Sequence, residues 1–115
     1  MKKIVLVFAL LISVFSIAQN KNAKATIEVD GICNMCKARI EKGALKTKGV
    51  KSAIWNLETK ELNVIFNEEK TSVKTIAKKV ASVGHDTKIV KATDEAYNTV
   101  HPCCRYRDQD VINEH

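Results

Sequence analysis

The sequence predicts an α+β fold in which two helices cover one face of an antiparallel sheet. Three observations lead there. Three stretches alternate apolar and polar residues with the period of a strand: residues 25–30, 51–57 and 62–66. Two stretches repeat apolar residues at helical spacing, from Asn34 to about Lys46 and from Val73 to Val83. Gly49 breaks the first of these and Gly84 ends the second. With a fourth strand over 86–92, the order is strand, helix, strand, strand, helix, strand.

The first strand puts Ala25, Ile27 and Val29 on one face, after a loose polar segment over 19–23. The first helix carries Cys36, Ile40, Gly43 and Ala44 at the i, i+4, i+7, i+8 spacing, so Cys36 heads its buried stripe. Ala53, Trp55 and Leu57, then Leu62, Val64 and Phe66, form the two arms of a hairpin. Glu58-Thr59-Lys60 connects them. Asn67 to Lys70 is a charged turn, and Thr71 or Ser72 caps the second helix. That helix has Val73, Ile76, Ala77, Val80 and Val83 as its apolar stripe. The fourth strand opposes Thr87, Ile89 and Lys91 to Lys88, Val90 and Ala92. This order is the split pattern of a ferredoxin-like βαββαβ sandwich spanning 24–92. Residues 93–115 lose the periodicity and form a tail with cysteine and histidine.

The N-terminus reads as a signal peptide over 1–18. A positive start, Met1-Lys2-Lys3, precedes an apolar run to Ile17 that is short for a bilayer span of about 20 residues. Ser16-Ile17-Ala18 fits a cleavage site after Ala18, so the mature chain is expected in the periplasm or outside the cell, with no membrane attachment. Losing Lys2 and Lys3 lowers the formal charge from +6 to +4. The lysines are dispersed and no aromatic pair is placed to stack bases, which argues against nucleic acid as a partner.

The most informative motif is Cys33-Asn34-Met35-Cys36, set between the first strand and the first helix. Two thiolates at this spacing suit a soft ion: Cu(I), Hg(II) or Zn(II). The helix N-terminus favours the thiolate form, and Lys37 and Arg39 are expected to add to that. A two-sulfur site is poor for zinc, which takes four ligands. It suits Cu(I) and leaves room for an incoming thiolate from another protein.

Gly31-Ile32-Cys33-Asn34-Met35-Cys36 on this order of elements resembles the heavy-metal-associated domain. That family includes copper chaperones, segments of copper-transporting ATPases and the periplasmic mercury-binding protein. The resemblance extends to Gly49-Val50 and to Gly84-His85-Asp86-Thr87. It implies Cys33 and Cys36 as metal ligands, and a metal-transporting ATPase or another metal-binding protein as partner. The family usually has Met and one more residue before the first cysteine. Here Gly31-Ile32 leads directly into Cys33, a loop one residue shorter. His85, in the loop before the fourth strand, is a candidate third ligand or an ordinary loop histidine.

The tail motif His101-Pro102-Cys103-Cys104 is a candidate second soft-metal site, a vicinal disulfide or a passive pair. His115 is free to join it. A fourth strand antiparallel to the first ends at the pole opposite Cys33, so a separate or mobile tail site is expected. Tyr97, Tyr106 and Val111 alternatively anchor a short helix against the sheet.

The function read from these residues is an exported soft-metal carrier or scavenger, Cu(I) first, and not an enzyme. The rival is a thiol–disulfide oxidoreductase, which also uses CxxC at a strand–helix junction. Against it, the only proline is Pro102, and Ile32 stands where that class carries an aromatic residue. A third reading is a purely structural disulfide domain that binds a protein partner.

Overall fold

The computed structural model describes residues 20–115, so the expected signal peptide lies outside the described residues. Three strands, β1 (Ala23–Glu28), β2 (Val50–Trp55) and β3 (Glu61–Phe66), form an antiparallel sheet in the order β1-β3-β2. The register sets Ile27 opposite Leu62, Ala25 opposite Val64, and Trp55 opposite Leu62. Side chains on one face of a strand recur every second residue, so Ile27, Ala53, Trp55, Leu62, Val64 and Phe66 gather on one side and are buried. Helices α1 (Asn34–Leu45) and α2 (Val73–Ser82) cover that side. All four stripe residues of α1 are buried, as are Ile76, Ala77 and Val80 of α2. Ser72 caps α2, its side chain accepting from the Thr75 amide at 3.3 Å.

Two segments differ from the sequence expectation at the start of the described residues. β1 begins at Ala23, and residues 20–22 are tied down. The Asn20 amide donates to Glu68 Oε2 at 2.9 Å, and the Glu68 amide donates to the Asn20 carbonyl at 3.0 Å.

The larger correction concerns residues 86–92. They do not form a fourth strand: one isolated bridge, Val29 to Thr87, ties them to the residue that follows β1. The Thr87 hydroxyl bonds the Val90 carbonyl at 2.9 Å and accepts from the Val90 amide at 2.7 Å. A threonine that satisfies nearby backbone in this way competes with ladder pairing, and the chain turns instead of running on. The Ala92 amide then returns to Asp86 Oδ1 at 2.7 Å.

Beyond this turn the chain folds back as α3 (Asp94–Tyr97), a 3-10 turn (Pro102–Cys104) and α4 (Gln109–Asn113). Gly84 is required at the junction. Its φ is +102°, and a Cβ there would lie 2.6 Å from the Ala96 carbonyl oxygen. Arg107 clips the return, reaching Asp86 Oδ1 at 2.7 Å, the Ala92 carbonyl at 2.8 Å and Asp94 Oδ1 at 3.2 Å. The Tyr106 hydroxyl donates to the Gly84 carbonyl at 2.7 Å and accepts from the Asp86 amide at 2.8 Å. Val100, Cys104 and Tyr106 are buried by this packing. Among the described residues no helix is long and apolar enough to cross a membrane.

Candidate metal centre

The loop from β1 to α1 is held from three sides. The Val29 amide donates to the Lys60 carbonyl at 2.8 Å, the Asp30 amide to the Asp86 carbonyl at 2.9 Å, and Trp55 Nε1 to the Val29 carbonyl at 3.0 Å. Gly31 lies directly on the Trp55 ring, where a Cβ would sit 3.0 Å from two ring carbons. This short loop delivers Cys33 to the N-cap of α1, in extended conformation and with no side-chain capping bond. Cys36 follows in the first turn on the inward stripe. The two Sγ atoms are 3.3 Å apart. The predicted pair therefore converges at a helix N-terminus, where free amides favour anionic sulfur.

The pair is less open than the sequence reading expects. Cys33 is half-buried and Cys36, on the inward stripe of α1, is fully buried, with the Cys104 carbonyl 4.0 Å from its sulfur. Cys104 Sγ lies 2.8 Å from Cys33 Sγ, and Cys103 Sγ lies 4.0 Å from it. The expected separate tail site is thus corrected. With no fourth strand to carry the chain to the far pole, residues 93–104 return to the near one. All four cysteines are free thiols, and the vicinal Cys103 and Cys104 sulfurs stand 3.9 Å apart.

The thiols differ in acidity. Burial pushes Cys33 up, but hydrogen bonds from the Cys104 thiol, the Cys36 amide and thiol and the Met35 amide outweigh it and hold Cys33 at about 7. Burial raises Cys36, more than its hydrogen bonds lower it. Burial, and then donation to the Cys33 and Cys36 sulfurs, pushes Cys104 far above the usual thiol range. Lys37 and Arg39 do not contribute as expected. Lys37 Nζ turns to Glu41 at 2.6 Å and the Trp55 carbonyl at 2.8 Å, and Arg39 turns to the Val83 carbonyl and to Thr99. Cys33 is the thiol poised to ionise. Iodoacetamide is expected to modify it first, with a rate midpoint near pH 7, while Cys36 and Cys104 stay protected over the same range. Peptide mass mapping across a pH series checks this; first modification at Cys36 would refute it.

His85, the candidate third ligand or ordinary loop histidine, is drawn inside the fold. It is fully buried, its Nδ1 is 2.9 Å from the Asp30 carbonyl, and its ring stacks on Tyr106 at 5.3 Å. Burial lowers its pKa, so it packs as a neutral ring between loop and tail. Among the described residues, the candidate ligand atoms that lie within 4.8 Å of one another are those of Cys33, Cys103 and Cys104. His101 Nδ1 lies 3.1 Å from Cys103 Sγ, and His115 Nε2 lies 2.9 Å from the Cys103 carbonyl. Met35, which the sequence does not single out as a site residue, brings its thioether to 3.4 Å from Cys103 Sγ, with its side chain half exposed. Its place inside the CxxC was the available signal.

The heavy-metal-associated domain model matches residues 26–86. A copper-exporting P-type ATPase of Staphylococcus saprophyticus is 36% identical over 75 residues, which is 64% of this chain and 9% of that protein. The chain thus spans about a tenth of the length of the curated ATPases it matches. The periplasmic component of a mercuric transport protein of Serratia marcescens is 31% identical over 67 residues, covering 57% of this chain and 74% of that protein. Among solved structures, the CopZ metallochaperone superposes with a TM-score of 0.55 at 27% identity, over 56% of this chain and 98% of that one.

Proposed function

The chain belongs to the heavy-metal-associated domain family, a heavy-metal-binding module carrying a CxxC cysteine cluster, and from that we propose that it is an exported carrier or scavenger of one soft metal ion. Cu(I) is the first candidate. The ion binds through the Cys33 and Cys36 thiolates and passes on by ligand exchange to a metal-transporting ATPase or another metal-binding protein. The observation that carries this reading is the 3.3 Å approach of the two Sγ atoms at the N-terminus of α1, with one thiol held at about 7. A thiolate ready at neutral pH binds metal without paying to shed a proton. The copper-exporting relatives favour Cu(I); the mercuric transport relative keeps Hg(II) as the second reading.

Anaerobic titration of the reduced chain with Cu(I), Hg(II) and Zn(II) tests the proposal. One tight equivalent of Cu(I) is expected, lost in the Cys33→Ser/Cys36→Ser variant while the circular dichroism spectrum persists. Preference for Hg(II) over Cu(I) in direct competition would move the assignment to mercury. Robust insulin reduction would replace the carrier with a thiol–disulfide oxidoreductase. Export is tested by N-terminal sequencing of the protein made in its cells, which should begin at Gln19.

A further inference from the structure

Four sulfurs meet at one pole of the domain, though only two belong to the CxxC. Cys33 Sγ is 2.8 Å from Cys104 Sγ, 3.3 Å from Cys36 Sγ and 4.0 Å from Cys103 Sγ, and the two tail sulfurs are 3.9 Å apart. Sulfurs sharing one ion at bond lengths of about 2.3 Å stand about 3.8 Å apart in a tetrahedron and about 4.0 Å apart in a triangle. Two edges of the Cys33–Cys103–Cys104 triangle already have that length. The third opens by about 1 Å to reach it.

The fold builds this approach. Pro102 starts the 3-10 turn, and the Cys104 amide closes it on the His101 carbonyl at 2.7 Å. Tyr106 and Arg107, immediately after the pair, bind the turn to Gly84, Asp86 and Ala92. Cys104 is 1% exposed, so its sulfur is placed by packing. The remaining neighbours of Cys103 are soft or nitrogenous: the Met35 thioether at 3.4 Å and His101 Nδ1 at 3.1 Å.

We propose that the tail closes the metal site: Cys103 and Cys104 join Cys33, with Cys36 beside them, in one all-sulfur site for a single thiophilic ion. This rests on the reading that the CxxC binds the cargo, and it deepens that reading. The ion is enclosed by its own chain, and release requires displacement of the tail. On loading, the tail thiols give up their protons to water as their sulfur–metal bonds form; at handover a partner thiolate forms a new metal–sulfur bond, a tail sulfur–metal bond breaks, and the freed tail thiolate takes a proton back from water. No electrons move. A tethered ligand acts at a high effective concentration, so the tail raises affinity on the order of 10²-fold.

X-ray absorption of the reduced chain with one equivalent of Cu(I), without added thiol, tests this. Three or more sulfurs around copper are expected. The count should fall to two in Cys103→Ser/Cys104→Ser, with affinity weakened on the order of 10²-fold in chelator competition. A count of two in the unsubstituted chain overturns the proposal and leaves the carrier reading standing, and needs no variant to interpret. A count of three that survives loss of both tail thiols also overturns it. Failure of the unsubstituted chain to bind Cu(I), Hg(II) or Zn(II) overturns both readings. Cys103 is only half-buried, so Cys103→Ser alone gives a folded check on the same count, expected to lower it or the affinity.

Discussion

Replacing Cys33 by Ser is expected to cost metal affinity on the order of 10²-fold or more while leaving the domain slightly more stable. Cys33 is the hub of the sulfur cluster, with its sulfur within 4.0 Å of each of the other three cysteine sulfurs. An apparent metal-binding free energy of about 10–16 kcal/mol over four sulfur or nitrogen ligands is about 3 kcal/mol per ligand, or on the order of 10²-fold. The stability effect runs the other way. Cys33 occupies the N-cap of α1 in extended conformation, yet makes no capping bond. Serine is a strong N-cap, and its oxygen can accept from an amide of the first turn, a gain of about 0.5–1 kcal/mol. Chelator competition reads the first effect and thermal unfolding of the metal-free protein reads the second. A variant that keeps full affinity for Cu(I) would remove Cys33 from the site. A lower unfolding temperature would refute the capping argument.

Trp55→Ala is expected to destabilise the domain by about 3–5 kcal/mol, a large share of the 5–15 kcal/mol typical of a folded domain. The ring is fully buried against the loop that carries Cys33. Its Nε1 donates to the Val29 carbonyl at 3.0 Å, and Lys60 Nζ lies over the ring, 5.5 Å from its centroid. Removing it leaves a cavity beneath Gly31 and an unpartnered carbonyl in the loop, so metal affinity falls with stability. Trp55→Phe separates the two costs, since it keeps most of the packing and loses only the hydrogen bond, at about 1–3 kcal/mol. Urea unfolding followed by circular dichroism is the measurement, because Trp55 is the only tryptophan and its fluorescence goes with it. An alanine variant within about 1 kcal/mol of the parent would show that the ring is not the keystone of this layer.

Much of the sandwich is legible in the sequence because its signals are local. Alternation over 25–30, 51–57 and 62–66 marks three strands, and the buried stripes of α1 and α2 follow the helical period. The CxxC is legible for the same reason, since both thiols sit in one turn. Residues 86–92 mislead because their alternation is compatible with a strand, while the outcome depends on what Thr87 does with its hydroxyl. The tail is legible only in its parts. Its helices are short, and what returns it to Cys33 is a set of single polar contacts across the chain: Arg107 to Asp86, and Tyr106 to Gly84 and Asp86. Such pairs leave no periodic trace. The four cysteines, two by two, were visible from the start; their meeting at one point was not.

The Cys33–Cys104 contact joins residues 71 positions apart. Closing so long a loop is slow compared with pairing β2 and β3, which are neighbours in the chain. The β2–β3 hairpin is a local pairing, while the approach of Cys104 to Cys33 is among the long-range contacts of the fold. The two-sulfur grip is built within one turn of α1, whereas the enclosed form also needs Cys103 and Cys104 in place. The sulfur cluster thereby doubles as a record of completed folding, since it exists only when the turn at Pro102–Cys104 has docked on the loop that carries Cys33.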